Sequence, residues 1–206
     1  MTLESDQSVA LIEWIGKLAE LREDPTGNHS KNIRKYMNAL IEEAKDDRHY
    51  KAEISRWDIP AVLSAAVLHD LGKIKIPDSI LLKKGRLTIQ EFDEMKKHCQ
   101  HGKMLLELLQ QDTQIKFMEH AKLITYYHHE KWDGTGYPEG IKGEKIPLEA
   151  RMLALVDVYD VLVSKRSYKP PYPHNSALEL IMEEKGTHFD PVLVDLFMKV
   201  FSKLEQ

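Results

Sequence analysis

The sequence predicts an all-α domain, and three observations carry that expectation. Apolar residues return at intervals of three and four in segment after segment, helix start and stop signals punctuate those segments, and no stretch of convincing length alternates apolar with polar residues as a half-buried strand would. A chain of 206 residues with 42% hydrophobic content can bury a real core, so one domain is the default.

Leu11, Trp14, Ile15, Leu18 and Leu21 recur at helical spacing, which predicts an amphipathic helix over residues 8–22, ending before Asp24-Pro25-Thr26-Gly27. It reads first as a core helix and, as the alternative, as a connector to a sensor or receiver domain. Residues 1–23 are accordingly taken as an N-terminal helix or connector and 24–206 as the domain proper. After Gly27, the positions His29, Ile33, Tyr36 and Leu40 share one face of a second helix, placing His29 at the head of an apolar stripe that should turn inward.

Pro60 to Leu68 is almost wholly apolar, which suits a central buried helix, with Gly72 as its C-terminal stop and His69 and Asp70 at its inner end. Thr88 and Glu91 form a capping box ahead of Phe92, Met95, Cys99, Leu105 and Leu109, predicting one long helix that carries His98. Phe117, Ala121, Ile124 and His128 share a face of the next helix, and His129 is turned from His128 by about 100°. Residues 130–147, EKWDGTGYPEGIKGEKIP, hold four glycines and two prolines with little helical period, so they form a loop long enough to carry function. The helix that starts near Pro147 sets Asp157 among Leu155, Val156 and Val158, where an unpaired carboxylate is costly to bury.

A formal charge of -4 supplies no basic field for duplex nucleic acid, so a phosphate substrate must be held by local cations or metals. Cys99 is the single cysteine, which excludes an internal disulfide. No apolar run approaches the ~18 residues of a membrane span and the N-terminus lacks a signal-peptide pattern. A reducing, cytoplasmic setting without membrane insertion is expected.

His29, His69, Asp70, His98, His128, His129 and Asp157 stand on different predicted helices as candidate metal ligands. Imidazole nitrogens and carboxylate oxygens suit zinc, manganese, iron and similar divalent ions, and the lack of cysteine ligands points away from a structural zinc finger. Any one of these histidines alone is ordinarily a core or surface residue; the ordinary explanation weakens when it must hold for all of them. His101 lies three residues from His98 on the same predicted helix, and spacing cannot choose between them. His49, His120, His174 and His188 read as non-ligands, with His188 in GTHFD as a loop organiser.

HDLGK, the HHEKWDGTGYP loop, IPLEARMLALVDVYD and SKRSYK, in this order and separation, resemble the HD-GYP family of cyclic di-GMP phosphodiesterases. The resemblance runs from about Asp24 to Phe197. It implies an HD-domain-like helical bundle with a long GYP-containing loop. One metal would be held by His29, His69 and Asp157, a second by His98, His128 and His129, with Asp70 bridging them and His98 rather than His101 at the matching position. A carboxylate has two oxygens with which to join neighbouring ions, and paired divalent ions activate water for in-line displacement without a protein nucleophile.

Lys73 would stabilise charge on the scissile phosphate, which makes Asp70 and Lys73 the implied catalytic pair; a lysine at a helix C-terminus is the competing account. Arg166 and Lys169 would contact substrate phosphates, while Tyr137 and Pro138 shape the loop beside the pocket, Tyr137 offering a ring face or hydroxyl to the nucleotide. Trp132 would buttress that loop, and Asp133 and Asp160 read as hydrogen-bonding residues.

Some family members hold a third metal through a carboxylate four residues before the first ligand histidine. That place is Pro25 here, so two ions are expected, iron or manganese, unless Asp24 or solvent substitutes. The implied reaction opens cyclic di-GMP to linear pGpG, or continues to GMP. The alternatives are another cyclic dinucleotide such as cyclic GMP-AMP, a linear nucleotide, or a low-turnover receptor. Sensor or receiver domains, diguanylate cyclase domains and a homodimer are the partners the resemblance leaves open.

Overall fold

A computed structural model describes residues 3–22, 28–111, 117–164 and 170–202, which places Asp24, Pro25, Arg166 and Lys169 outside the described residues. Its elements are α1 (Leu3–Glu20), α2 (Asn28–Ala44), α3 (Lys51–Ile54), α4 (Ile59–Ala66), a 3-10 turn (Leu71–Lys75), α5 (Asp78–Leu81), α6 (Ile89–Lys96), α7 (His98–Gln111), α8 (Met118–Tyr127), a second 3-10 turn (Gly143–Lys145), α9 (Leu148–Val163), α10 (His174–Glu183) and α11 (Pro191–Phe201). No strand occurs among the described residues, as the patterning predicts.

The apolar segments form the centre. In α4, Val62, Leu63, Ala65 and Ala66 are buried against α2 and α8, and in α9 every residue from Leu148 to Val156 is buried where the helix passes α2, α8 and α10. On α2 the predicted stripe does turn inward, with His29, Ile33, Met37, Leu40 and Ile41 covered. α11 closes the far side through a ring cluster in which Phe197 and Phe201 meet Tyr159 of α9 and Phe201 meets Tyr36 of α2. Asp190 caps α11 by accepting from Val192 N at 2.9 Å, and its other oxygen pairs with buried Arg151 at 2.6 Å. Because Arg151 Nε also donates to Ile146 O at 2.9 Å, one charge network ties the end of the loop to α9 and α11.

Three local expectations are corrected. The long helix after the Thr88 capping box is two helices: the box forms on α6, but the chain turns at Lys97, whose N–H goes to Glu94 O and Met95 O, and His98 opens α7. Gly72 does not stop α4, which ends at Ala66; it lies inside the 3-10 turn because a Cβ there would come within 1.9 Å of His98 O and 2.5 Å of Gly102 N. Third, α1 does not pack as a core helix. Leu11, Trp14 and Leu18 are 64, 61 and 60% exposed, and the helix docks through Gly16, Ala19 and, from the predicted stripe, Ile15. Gly16 permits that approach, since a Cβ would meet Leu68 Cδ2 at 2.7 Å.

Candidate metal centre

The end of α4, the start of α2 and the start of α7 meet the end of α8 around two groups of side chains, each of which could hold a metal ion: His29 with His69 and Asp70, and His98 with His128 and His129. His29, His69, His98 and His128 are all buried. His29 Nε2 lies 3.4 Å from His69 Nε2, and His98 Nε2 lies 3.4 Å from His128 Nε2. Two imidazole nitrogens at that separation have no reason to face one another in a dry core unless they share a cation or a proton, so the donor set fits a divalent metal.

The rings are oriented from behind. Nδ1 of His69 donates to Ala66 O at 2.9 Å, that of His98 to Met95 O at 2.7 Å, and that of His128 to Ile124 O and Thr125 O at 3.1 Å. Carbonyls only accept, so each Nδ1 carries the proton and each Nε2 is aimed inward as the ligating nitrogen. His29 uses a carboxylate for the same purpose, its Nδ1 lying 2.7 Å from Asp160 Oδ2. Asp157 reaches the other nitrogen of His29, with Oδ1 at 3.5 Å from Nε2. His128 caps the end of α8 and His129 follows it; their rings lie 4.1 Å apart at 41°, so both edges enter one group.

Asp70 stands between the groups. Its Oδ2 is 3.2 Å from His69 Nε2, while Oδ1 is 3.6 Å from His98 Nε2 and 3.9 Å from His128 Nε2. Lys73 Nζ lies 2.9 Å from the same Oδ2. Burial opposes the charge on Asp70, but Lys73 and the His69 ring prevail and hold its carboxyl well below the usual range. For His69 burial favours the neutral ring, yet Asp70 and Asp157 outweigh it and hold the pKa at about 9. His128 and His129 go the other way: burial and neighbouring histidines push both well below the ordinary value.

Compared with known families, residues 14–193 match the HD domain. The chain belongs to the HD-domain family. A cyclic di-GMP phosphodiesterase of Vibrio cholerae is 42% identical over 98% of this chain and 41% of its own length. A 3'3'-cGAMP-specific phosphodiesterase 2 of the same organism is 37% identical over 94% of the chain and 35% of its own length. This HD-domain chain therefore spans about two fifths of the length of the first curated relative named here. A solved cyclic GMP-AMP specific phosphodiesterase from V. cholerae shares the fold at a TM-score of 0.62 and 20% identity, covering 94% of this chain and 49% of that one. The HD-GYP resemblance and the all-α expectation agree with these findings.

His101 lies outside both groups, its Nδ1 buried without a partner. The histidines read as non-ligands are occupied elsewhere: His49 with Asp47, His120 with Glu149, and His174 with Tyr159 and Phe201 O. His188 organises the loop through its carbonyl, which accepts from Trp132 N at 3.0 Å. Tyr137 turns one ring face to His129, stacked at 4.7 Å, and is joined to Pro138 by a cis peptide bond.

Two residues matter more here than the sequence reading allowed. Asp160 is a hydrogen-bonding residue as expected, but its partner is the candidate ligand His29, with Asn32 and Ser164 satisfying its other oxygen. Its spacing from Asp157, three residues on one helical face, was the available signal. Glu130, next to His129, anchors the loop from within by accepting from Glu139 N at 2.7 Å and Gly140 N at 3.1 Å.

Proposed function

We propose that this chain is a metal-dependent phosphodiesterase that opens cyclic di-GMP to linear pGpG. The observation that carries the reading is Asp70, whose two carboxylate oxygens address two separate histidine groups. In this proposal His29, His69 and Asp157 hold one ion, His98, His128 and His129 hold a second, and Asp70 is shared. Iron or manganese suits the mixture of imidazole and carboxylate donors. Divalent ions in that place supply Lewis-acid stabilisation and activation of water.

Hydrolysis adds one water across a phosphoester bond: the water oxygen joins phosphorus, and the ribose oxygen leaves and takes up a proton. Lys73, beside Asp70, contributes positive charge where the phosphoryl oxygens gather negative charge. Arg166 and Lys169 hold the substrate phosphates, and Tyr137 and Pro138 form the wall of the pocket on the loop side. Residues 24–206 form the catalytic domain, with residues 1–23 as an N-terminal helix or connector. A second reading, cleavage of cyclic GMP-AMP, is favoured by the 37% identity to a relative named for that substrate.

The test is product analysis. Protein loaded anaerobically with ferrous iron, or separately with manganese, is incubated with each cyclic dinucleotide and the products are resolved over time. Conversion of cyclic di-GMP to pGpG, abolished by a chelator, is the expected result, and later GMP would show that hydrolysis runs further. Faster cleavage of cyclic GMP-AMP would establish the second reading. Tight binding without product, despite confirmed metal loading, would make the chain a receptor.

A further inference from the structure

The end of α1 touches two of the three polypeptide segments that carry the His29 side of the centre, the start of α2 and the turn that follows Asp70. Arg22, just past the helix, donates through Nη1 to Lys73 O at 2.8 Å and through Nη2 to Ile76 O at 3.2 Å, and it pairs with Asp78. Its guanidinium therefore spans the 3-10 turn in which Lys73 sits. Glu20, two residues earlier, accepts from Ser30 N at 3.2 Å and from the Ser30 hydroxyl. Ser30 follows His29 in the first turn of α2, where backbone N–H groups have no partner within the helix and a carboxylate is favoured by the helix dipole.

Elsewhere α1 packs on the core through Ile15, Gly16 and Ala19. Leu11, Trp14 and Leu18 face outward, and another polar tie, Glu13 with Arg34 at 2.7 Å, joins α1 to α2 farther along that helix. The two charged side chains at its end thus contact the backbone immediately beside one candidate ligand and at the candidate catalytic lysine itself. A 3-10 turn has poorer hydrogen-bond geometry than an α-helix and gains the most from external donors to its carbonyls. An arginine fork fits two carbonyls at once, which a lysine could not do in the same way.

From this juxtaposition we propose that α1 is a positioning element for the centre: Arg22 fixes the turn that presents Lys73, and Glu20 fixes the turn that presents His29. The functional half of the proposal rests on the reading of Lys73 and His29 given above. Neither Arg22 nor Glu20 meets substrate; each acts through backbone. A movement of α1 would then change turnover without any change in the ligand set.

The experiment uses the full chain with Arg22→Ala and, as a control on general docking of α1, Glu13→Gln. Amide hydrogen exchange of residues 71–76 is measured in metal-free protein, and kcat and KM are measured on cyclic di-GMP in loaded protein. Arg22→Ala is expected to raise exchange across 71–76 by about tenfold while α4 and α8 stay protected. It should lower kcat by about tenfold with KM within about twofold, and the protection kept by α4 and α8 separates this from general loosening of the fold. Glu13→Gln should leave both readouts at the parent values. Unaltered exchange at 71–76 overturns the proposal, as does a kcat within about twofold of the parent, or an equal effect of Glu13→Gln. The exchange readout holds whether or not the site hydrolyses a nucleotide. If Lys73→Ala also leaves turnover unaltered, it is the catalytic reading that falls, and the functional half of this proposal with it.

Discussion

The two histidine groups are built at different ranges. His98, His128 and His129 come from the start of α7 and the end of α8, neighbours in the chain, and two of the three rings are held by carbonyls three or four residues earlier in the chain. The group around His29 draws on residues 29, 69, 70 and 157, and its first histidine is held by a side chain from α9, 131 residues away in the chain. Among the described residues, α1 is tied beside this group through Ser30 and Lys73. Backbone carbonyls cannot be removed by substitution, whereas Asp160 can, so the long-range group should be the one that mutation and loosening disturb first. Asp70 couples the pair, and the comparison is strongest where that coupling is broken.

The largest effect is therefore expected from Asp70→Ala. Losing the shared carboxylate should remove metal from both groups and lower turnover by more than ~100-fold, beyond the range seen for supporting residues. Elemental analysis and circular dichroism check it together: a helical protein that still holds its full metal complement would show that the groups are independent.

Asp160→Asn should separate the groups. With the acceptor of His29 weakened, affinity for one ion of the pair is expected to fall by ~10–100-fold while the other stays tight, read as two phases in a metal titration. An equal loss of both ions would mean that the difference in construction has no energetic consequence.

Gly72→Ala probes where the local group leans on the HD segment. A Cβ 1.9 Å from His98 O forces the 3-10 turn away from α7, an overpacking change of ~1–3 kcal/mol that should lower the melting temperature. An unchanged melting temperature would show that the turn and α7 can separate freely.

Protonation gives the smallest contrast. In metal-free protein His69 is held at about 9, above its unfolded value, so its ion pairs stabilise the fold fully below pH 6.5 and are lost as pH rises through about 9. His128 and His129 are held neutral, so they add no such stabilisation and cost stability as pH falls through the ordinary histidine range. The deficit of His69→Gln in chemical denaturation should accordingly be largest in mild acid and shrink as pH rises through about 9. A deficit that does not vary with pH would contradict the assignment.

Much of this arrangement is legible in the residues. The inward stripe of α2 placed His29, the apolar run placed His69 and Asp70, and the paired His128 and His129 announced the local group. The long-range group was harder because periodicity says which residues share a face, not which face another element covers. That is why the stripe on α1 reads as core although Leu11, Trp14 and Leu18 face solvent. The break at Lys97 was hidden because lysine favours helix and no glycine or proline marks the turn. α10 and α11 carry ordinary start signals at Pro173 and at Asp190-Pro191, but nothing in them tells that they close over α2 and α9. Arg22 and Glu20 gave no signal at all, since their partners become visible only in three dimensions.

The proposed two-ion centre divided by Asp70 is tested most directly by anomalous diffraction from crystals of the manganese-loaded chain. Two peaks separated by ~3.5–4 Å, one beside His29 and His69, the other beside His98, His128 and His129, with Asp70 between them, is the predicted result. A single peak, or manganese bound away from Asp70, would contradict it.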